Sequence, residues 1–257
     1  MGDLVFHDAG HGYDVFGLTP KALRRAVGLS GWFYESYFRV GSHGVENIPS
    51  SGAAILAANH GGTLPIDAAL IVLDVIRNTR PARVPRPIGD VFIPLLPWFG
   101  TLLSRLGMVS GTRSNFRHLL EGGELALVFP EGVTGIAKGL RQRYRLRPFR
   151  VGHAELALRH RVPVVPVAVI GAEEAWPALA RIGAFHAFGA PFLPVPLYPL
   201  PLPMRHAIYY GPPLRLHERY PADGADDPET VASAARDVQR AVEELIERGL
   251  AERKRLF

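Results

Sequence analysis

Three short stretches constrain this chain more than anything else in it: Ala53–Ala58, Glu124–Phe129 and Val162–Ile170. Each is essentially apolar throughout rather than alternating, which is the pattern of a strand covered on both faces. Pro163 and Pro166 mark the third as an edge strand or the site of a bulge, because a proline cannot donate to a ladder. Helical segments separate the strands. Thr19-Pro20 signals a helix start, and the apolar spacing continues through Trp32, Phe33, Tyr37 and Phe38, with Gly28 and Gly31 expected to kink or divide the helix. Pro65 opens a helix to Ile76, Thr112 or Ser114 caps one that stops at Gly122-Gly123, and Phe149–His160 forms another. A long C-terminal helix starts at Asp227-Pro228-Glu229. Strands alternating with helices imply α/β architecture, a mixed, largely parallel central sheet flanked by helices. Its 257 residues suit one domain: an N-terminal amphipathic helical segment over 1–38, a core over 39–215 and a C-terminal helix over 226–257.

Cysteine is absent, which excludes disulfides and thiolate catalysis. The net charge of +5 arises almost wholly from arginine, whose planar fork suits phosphate and carboxylate. Residues 138–150 hold six basic side chains and no acid. If that segment is extended, Arg141, Arg143, Arg145 and Arg147 share one face, either as a solvated charged face or as an anion site. Few aromatic residues interleave them, so nucleic acid is not the expected partner. The polar start of the chain is not a signal peptide. Residues 182–203 are free of charge but carry six prolines, so they form no regular membrane helix and read as an apolar surface loop at a lipid interface. Val91–Leu103 is too short to span a bilayer.

The first apolar run ends in Asn59-His60-Gly61-Gly62, and a carboxylate, Asp67, follows early in the next helix. Histidine titrates near neutrality, and a carboxylate on its far nitrogen fixes the tautomer and stabilises the imidazolium. Such a pair can activate a hydroxyl as a nucleophile without an enzyme-bound acyl intermediate. Backbone N–H groups at Gly61 and Gly62 are the oxyanion donors expected beside it. Nothing in the sequence fixes the geometry a metal site would need around His7, Asp8, His11 and Asp14, so no metal is expected.

The Asn59-His60…Asp67 block is followed by Gly107…Arg113, Phe129-Pro130-Glu131-Gly132 and Val162-Pro163-Val164-Val165-Pro166-Val167, with Gly44-Val45-Glu46-Asn47-Ile48-Pro49 as a lead-in. In this order the blocks resemble the PlsC-like glycerolipid and lysophospholipid acyltransferase superfamily, over roughly residues 35–215. Six residues separate His60 from Asp67 where the common form has four, and this looks more like the monoacylglycerol and diacylglycerol acyltransferase branch. The resemblance implies transfer of a fatty acyl chain from acyl-CoA or an acyl carrier protein to a glycerolipid hydroxyl, with no cofactor. His60 would be the base, Asp67 its partner, and Glu131, Gly132 and Arg113 would lie at the acceptor. Lys138, Arg141 and Arg143 are the donor or anion contacts. Thr134 stands where the phosphate-acceptor branch carries arginine. The acceptor is therefore either a lysophosphatidate or glycerol-3-phosphate, or a neutral acylglycerol or long-chain alcohol. A lipid-binding module without chemistry is the remaining alternative. The expected location is peripheral, on the cytoplasmic face of a membrane.

Overall fold

A computed structural model of the chain describes residues 6–136, 138–183, 189 and 192–253. Seven strands form one sheet in the order β1-β9-β6-β2-β5-β3-β4. In chain order they are β1 (Gly41–His43), β2 (Ala54–Ala58), β3 (Pro85–Gly89), β4 (Val109–Ser110), β5 (Leu125–Val128), β6 (Val164–Ile170) and β9 (Ala207–Tyr210). A separate antiparallel ribbon pairs β7 (Ala178–Ile182) with β8 (Leu193–Pro196). Strands β2, β3, β4, β5 and β6 are mutually parallel, so their carboxyl ends share one edge of the sheet; β9 pairs antiparallel with β6, and β1, parallel to β9, shares its reversed direction.

Side-chain alternation divides the core. Ile55 and Ala57 of β2 face a layer built with α5 (Gly152–His160) and α8 (Pro228–Glu252), while Ala54, Leu56 and Ala58 face α1 (Pro20–Trp32) and α2 (Ile66–Asn78). Every residue of β2, β5 and β6 is buried, as their unbroken apolar character requires.

Two expectations are corrected. The prolines do not put β6 at an edge, for it lies between β9 and β2. Pro166 pairs with Ala57 of β2, and on the other side it sits between the regular β9 ladder, which starts at Val167, and the isolated Val164–Leu214 bridge, with its carbonyl accepting the Gly211 N–H at 2.9 Å. Gly28 and Gly31 do not divide α1. The helix runs to Trp32 and then widens into a π-turn over Phe33–Tyr37. Its aromatic cluster serves two surroundings: Tyr34 and Phe38 are buried, whereas Trp32 and Phe33 are exposed. Part of the apolar 182–203 segment lies outside the described residues; the remainder includes β8 and an exposed stretch whose backbone is held by Tyr37, Arg39 and Trp176. Among the described residues no helix is long and apolar enough to cross a membrane.

Candidate active site

At the carboxyl edge of the sheet the chain leaves β2 at Asn59. The Asn59 amide accepts from the Val169 N–H at 2.7 Å and donates to the Val169 carbonyl at 3.1 Å, extending the β2–β6 ladder through a side chain. That bond fixes the direction in which His60 departs. The imidazole lies stacked on Phe129, with ring centroids 4.2 Å apart.

His60 Nδ1 is 2.6 Å from Asp67 Oδ2, across the six intervening residues. The longer loop is not loose. Gly62 takes a left-handed φ of +88° and packs on the carbonyls of Ala172 and Trp176, and the Thr63 hydroxyl donates to the Trp176 carbonyl at 2.9 Å. Asp67 is fully buried in the first turn of α2, where a negative charge suits the helix dipole. Its Oδ2 also accepts the Gly61 N–H at 2.9 Å, and its Oδ1 accepts the Ala68 N–H at 2.8 Å. These donors fix the carboxylate in orientation, with Oδ2 facing His60 Nδ1. Burial by itself depresses the His60 pKa, but the charge and hydrogen bond of Asp67 outweigh it and the net direction is upward. Among the described residues nothing bonds Nε2, which leaves that nitrogen for a substrate proton.

The Gly61 N–H, expected at an oxyanion, is instead committed to Asp67. Gly61 also cannot carry a side chain, because its Cβ would fall 2.1 Å from Glu173 Cγ.

Glu131 and Lys138, expected to meet the acceptor and an anion, close on each other inside the protein. Their side chains are 0% and 1% exposed. Lys138 Nζ lies 2.8 Å from Glu131 Oε2 and 3.2 Å from Glu173 Oε1. Glu131 Oε1 accepts the His60 N–H at 2.9 Å, its Oε2 accepts the Arg147 N–H at 2.8 Å, and Glu173 Oε2 accepts the Tyr144 N–H at 2.8 Å. Burial pushes the Glu173 carboxyl upward, with Lys138 opposing. This brace pins the backbone of His60 from behind and ties it to the arginine-rich segment.

That segment is not extended. Leu140–Gln142 is a 3-10 turn and residues 145–150 have no regular structure, so the arginines do not form a single face. Arg141 is exposed, and Arg143 leans toward Glu174 at 3.5 Å. Arg113, at the start of α4 (Arg113–Glu121), is exposed and paired with Glu155 of α5. Gly132 adopts φ +61°, and its absent Cβ would lie 2.6–2.9 Å from the Arg150 guanidinium. Arg150 therefore rests on the Glu131-Gly132 turn; Asp90 is its nearest carboxylate, at 3.9 Å. Thr134 donates its hydroxyl to the Glu131 carbonyl at 2.7 Å. Glu173 and Arg150 were not singled out by sequence reasoning. Glu173 meets Lys138 across 35 positions, and no local spacing signals such a contact.

A family model described as Acyltransferase matches residues 39–170. An uncharacterized protein of Mycobacterium tuberculosis is 36% identical over 256 residues, covering 95% of this chain and 71% of the relative. The bovine DGAT1/2-independent enzyme synthesizing storage lipids is 27% identical over 205 residues, covering 78% and 58% of the two chains. The crystal structure of the 1-acyl-sn-glycerophosphate acyltransferase PlsC from Thermotoga maritima shares the fold at a TM-score of 0.60 and 18% identity, over 91% of this chain and 81% of that one. This chain belongs to the acyltransferase family and is an acyltransferase.

Proposed function

We propose that the protein transfers a fatty acyl chain from an acyl-CoA or acyl carrier protein thioester to a hydroxyl of a glycerolipid at a membrane surface. The observation that carries this reading is the 2.6 Å His60–Asp67 pair with Nε2 left open. The Nε2 lone pair removes the acceptor hydroxyl proton as the oxygen attacks the thioester carbonyl. Asp67 stabilises the resulting imidazolium, as a carboxylate does in a serine triad, with the acceptor's own hydroxyl in the place of the serine. Collapse of the tetrahedral intermediate breaks the carbon–sulfur bond, and the imidazolium returns its proton to the departing thiolate. The chemistry requires no cofactor beyond the two substrates.

Two acceptor classes divide on one guanidinium. With Lys138 buried, Arg113 paired with Glu155 and Thr134 in place of arginine, Arg150 on the Gly132 turn is the cation positioned to meet an acceptor phosphate. A neutral monoacylglycerol or diacylglycerol is the second reading, and the storage-lipid enzymes among the relatives favour it. The test is an acceptor panel of glycerol-3-phosphate, lysophosphatidate and monoacylglycerol with one labelled acyl-CoA. His60→Ala should abolish transfer in a protein that melts like the wild type; retention of most activity refutes the mechanism. Arg150→Gln should raise KM for a phosphate-bearing acceptor and leave a neutral one unchanged.

A further inference from the structure

The arginine-rich segment folds into a structure that the His60 chemistry does not use. Between Glu131 and Glu155 the chain has no acidic residue. After the 3-10 turn of Leu140–Gln142, the Arg145 N–H donates to the Gln142 carbonyl at 3.2 Å, so a tight turn runs over residues 142–145. Tyr144 stands third in that turn with φ +60°, a place that glycine or asparagine usually fills. A bulky residue there is strained and persists only where its surroundings over-determine it. Tyr144 is held at three points. Its N–H donates to Glu173 Oε2 at 2.8 Å, its hydroxyl accepts the Gly171 N–H at 2.8 Å, and the same hydroxyl donates to Glu174 Oε2 at 2.7 Å. Gly171 directly follows β6, so the turn is fastened at the carboxyl end of the strand beside β2, from whose end His60 departs.

What the turn holds in place is a ring of guanidinium groups. Arg141, Arg143 and Arg145, with Tyr144 among them and Leu250 and Arg253 from the end of α8, line an open cleft of about 360 Å³. Ion pairs account for only part of this charge. Arg253 is paired with both oxygens of Glu174, and Arg143 reaches the same carboxylate at 3.5 Å. Glu174 is thus shared by two arginines and neutralises one. Arg141 and Arg145 are exposed and, among the described residues, pair with no carboxylate. Four guanidinium groups therefore meet one carboxylate around a single concave site. Like charges so placed repel one another unless an anion lies between them. A merely solvated turn would avoid the strain with glycine at position 144; here the strained backbone fixes the arginines around the cleft.

We propose that this cleft binds the phosphate groups of coenzyme A, the handle of the donor thioester. Guanidinium forks meet phosphate oxygens bidentately. The pantetheine arm then carries the thioester along the carboxyl edge of the sheet to His60. An acidic carrier protein fits this site less well. A stable protein partner covers about 800 Å² of surface, whereas the unpaired charge here is confined to one turn. Glu247, exposed one helical turn before Leu250 on α8, would also oppose an acidic protein. This assignment rests on the reading that the protein takes its acyl chain from a thioester, and it names which thioester.

Arg141→Gln/Arg145→Gln removes the unpaired charge without touching Tyr144 or the brace behind His60. Calorimetric titration of the full chain with coenzyme A reads the site without turnover. Wild type should bind, and more weakly as salt rises. The double variant should bind roughly tenfold more weakly or worse, while Arg24→Gln/Arg25→Gln, which removes two exposed arginines of α1, binds like wild type. Steady-state transfer supplies a second readout. In the double variant KM for acyl-CoA should rise by a similar factor with kcat nearly unchanged, and KM for the S-acyl pantetheine, which carries no phosphate, should stay at the wild-type value. Equal losses on the two donors overturn the proposal. So does coenzyme A binding that the double variant retains, or a wild type that takes acyl chains only from a carrier protein. A wild type that binds coenzyme A through these arginines but transfers to no acceptor supports the cleft and refutes the proposed chemistry.

Discussion

Removing Lys138 tests the brace behind His60. Lys138→Met keeps the length of the side chain and deletes its charge. Two carboxylates then remain in the interior, Glu131 at 0% and Glu173 at 3% side-chain exposure. Glu131 keeps the N–H groups of His60 and Arg147, while Glu173 keeps that of Tyr144. Breaking a buried ion pair from one side costs about 3–5 kcal/mol. Against a typical total of about 5–15 kcal/mol, the loss is a large fraction of the stability. Urea unfolding near neutral pH, followed by circular dichroism, reads it directly. A second variant assigns the cause: adding Glu173→Gln removes one of the two uncompensated charges and should restore at least half of the lost stability. The sign of the pH dependence is fixed as well. A carboxyl whose pKa is higher folded than unfolded binds more protons in the native state, so the Lys138→Met defect should shrink as the pH falls below neutral. A single variant within about 1 kcal/mol of wild type, the net worth of an ordinary hydrogen bond, would refute the brace; so would a double variant less stable than the single one.

Two further outcomes follow from the same geometry. Asp67→Asn cannot satisfy its surroundings in either amide orientation: with oxygen toward His60 and Gly61 its NH2 meets the Ala68 N–H, and with the amide reversed His60 is driven to the wrong tautomer. Transfer should fall by about 10²–10⁴-fold, as when a triad carboxylate is neutralised, and the acid limb of kcat/KM should move to lower pH, because Asp67 raises the His60 pKa; a profile that keeps its acid limb contradicts the pairing. His153 and His206 are buried, and burial holds each pKa down to about 4 against an ordinary 6.5. The unfolded chain therefore takes up protons first, and acidification from about pH 7 to about pH 5 should cost roughly 2 kcal/mol per histidine. His60 works in the opposite direction and offsets part of this, so urea melts that gain stability over that interval would contradict the assignment.

What the sequence conveyed about this protein depended on how far each signal reached along the chain. The apolar runs of β2 and β5 were readable because burial on both faces leaves a local mark. The same logic failed for β6. A proline argues against a central position only where the neighbour on its N–H side needs that donor, and where β9 ends is a property of the folded sheet. His60 and Asp67 were readable as a pair because a strand end, a short loop and a helix start fix their approach within seven positions. The cations were misread for the complementary reason. Locally, Lys138 opens a run of positive charge, and nothing nearby in sequence says that it turns inward to Glu173, 35 positions away. The two additional residues between His60 and Asp67 show how these ranges combine. Taken alone, a longer glycine loop predicts a looser pair. In the folded chain Gly62 and Thr63 are fastened to Trp176, beyond β6, and the pair closes to 2.6 Å. The longer loop carries Thr63 to the connection that leads to the β7–β8 ribbon. By that route the His60–Asp67 pair and the connection into the β7–β8 ribbon are joined through the carbonyl of Trp176, which accepts from Thr63.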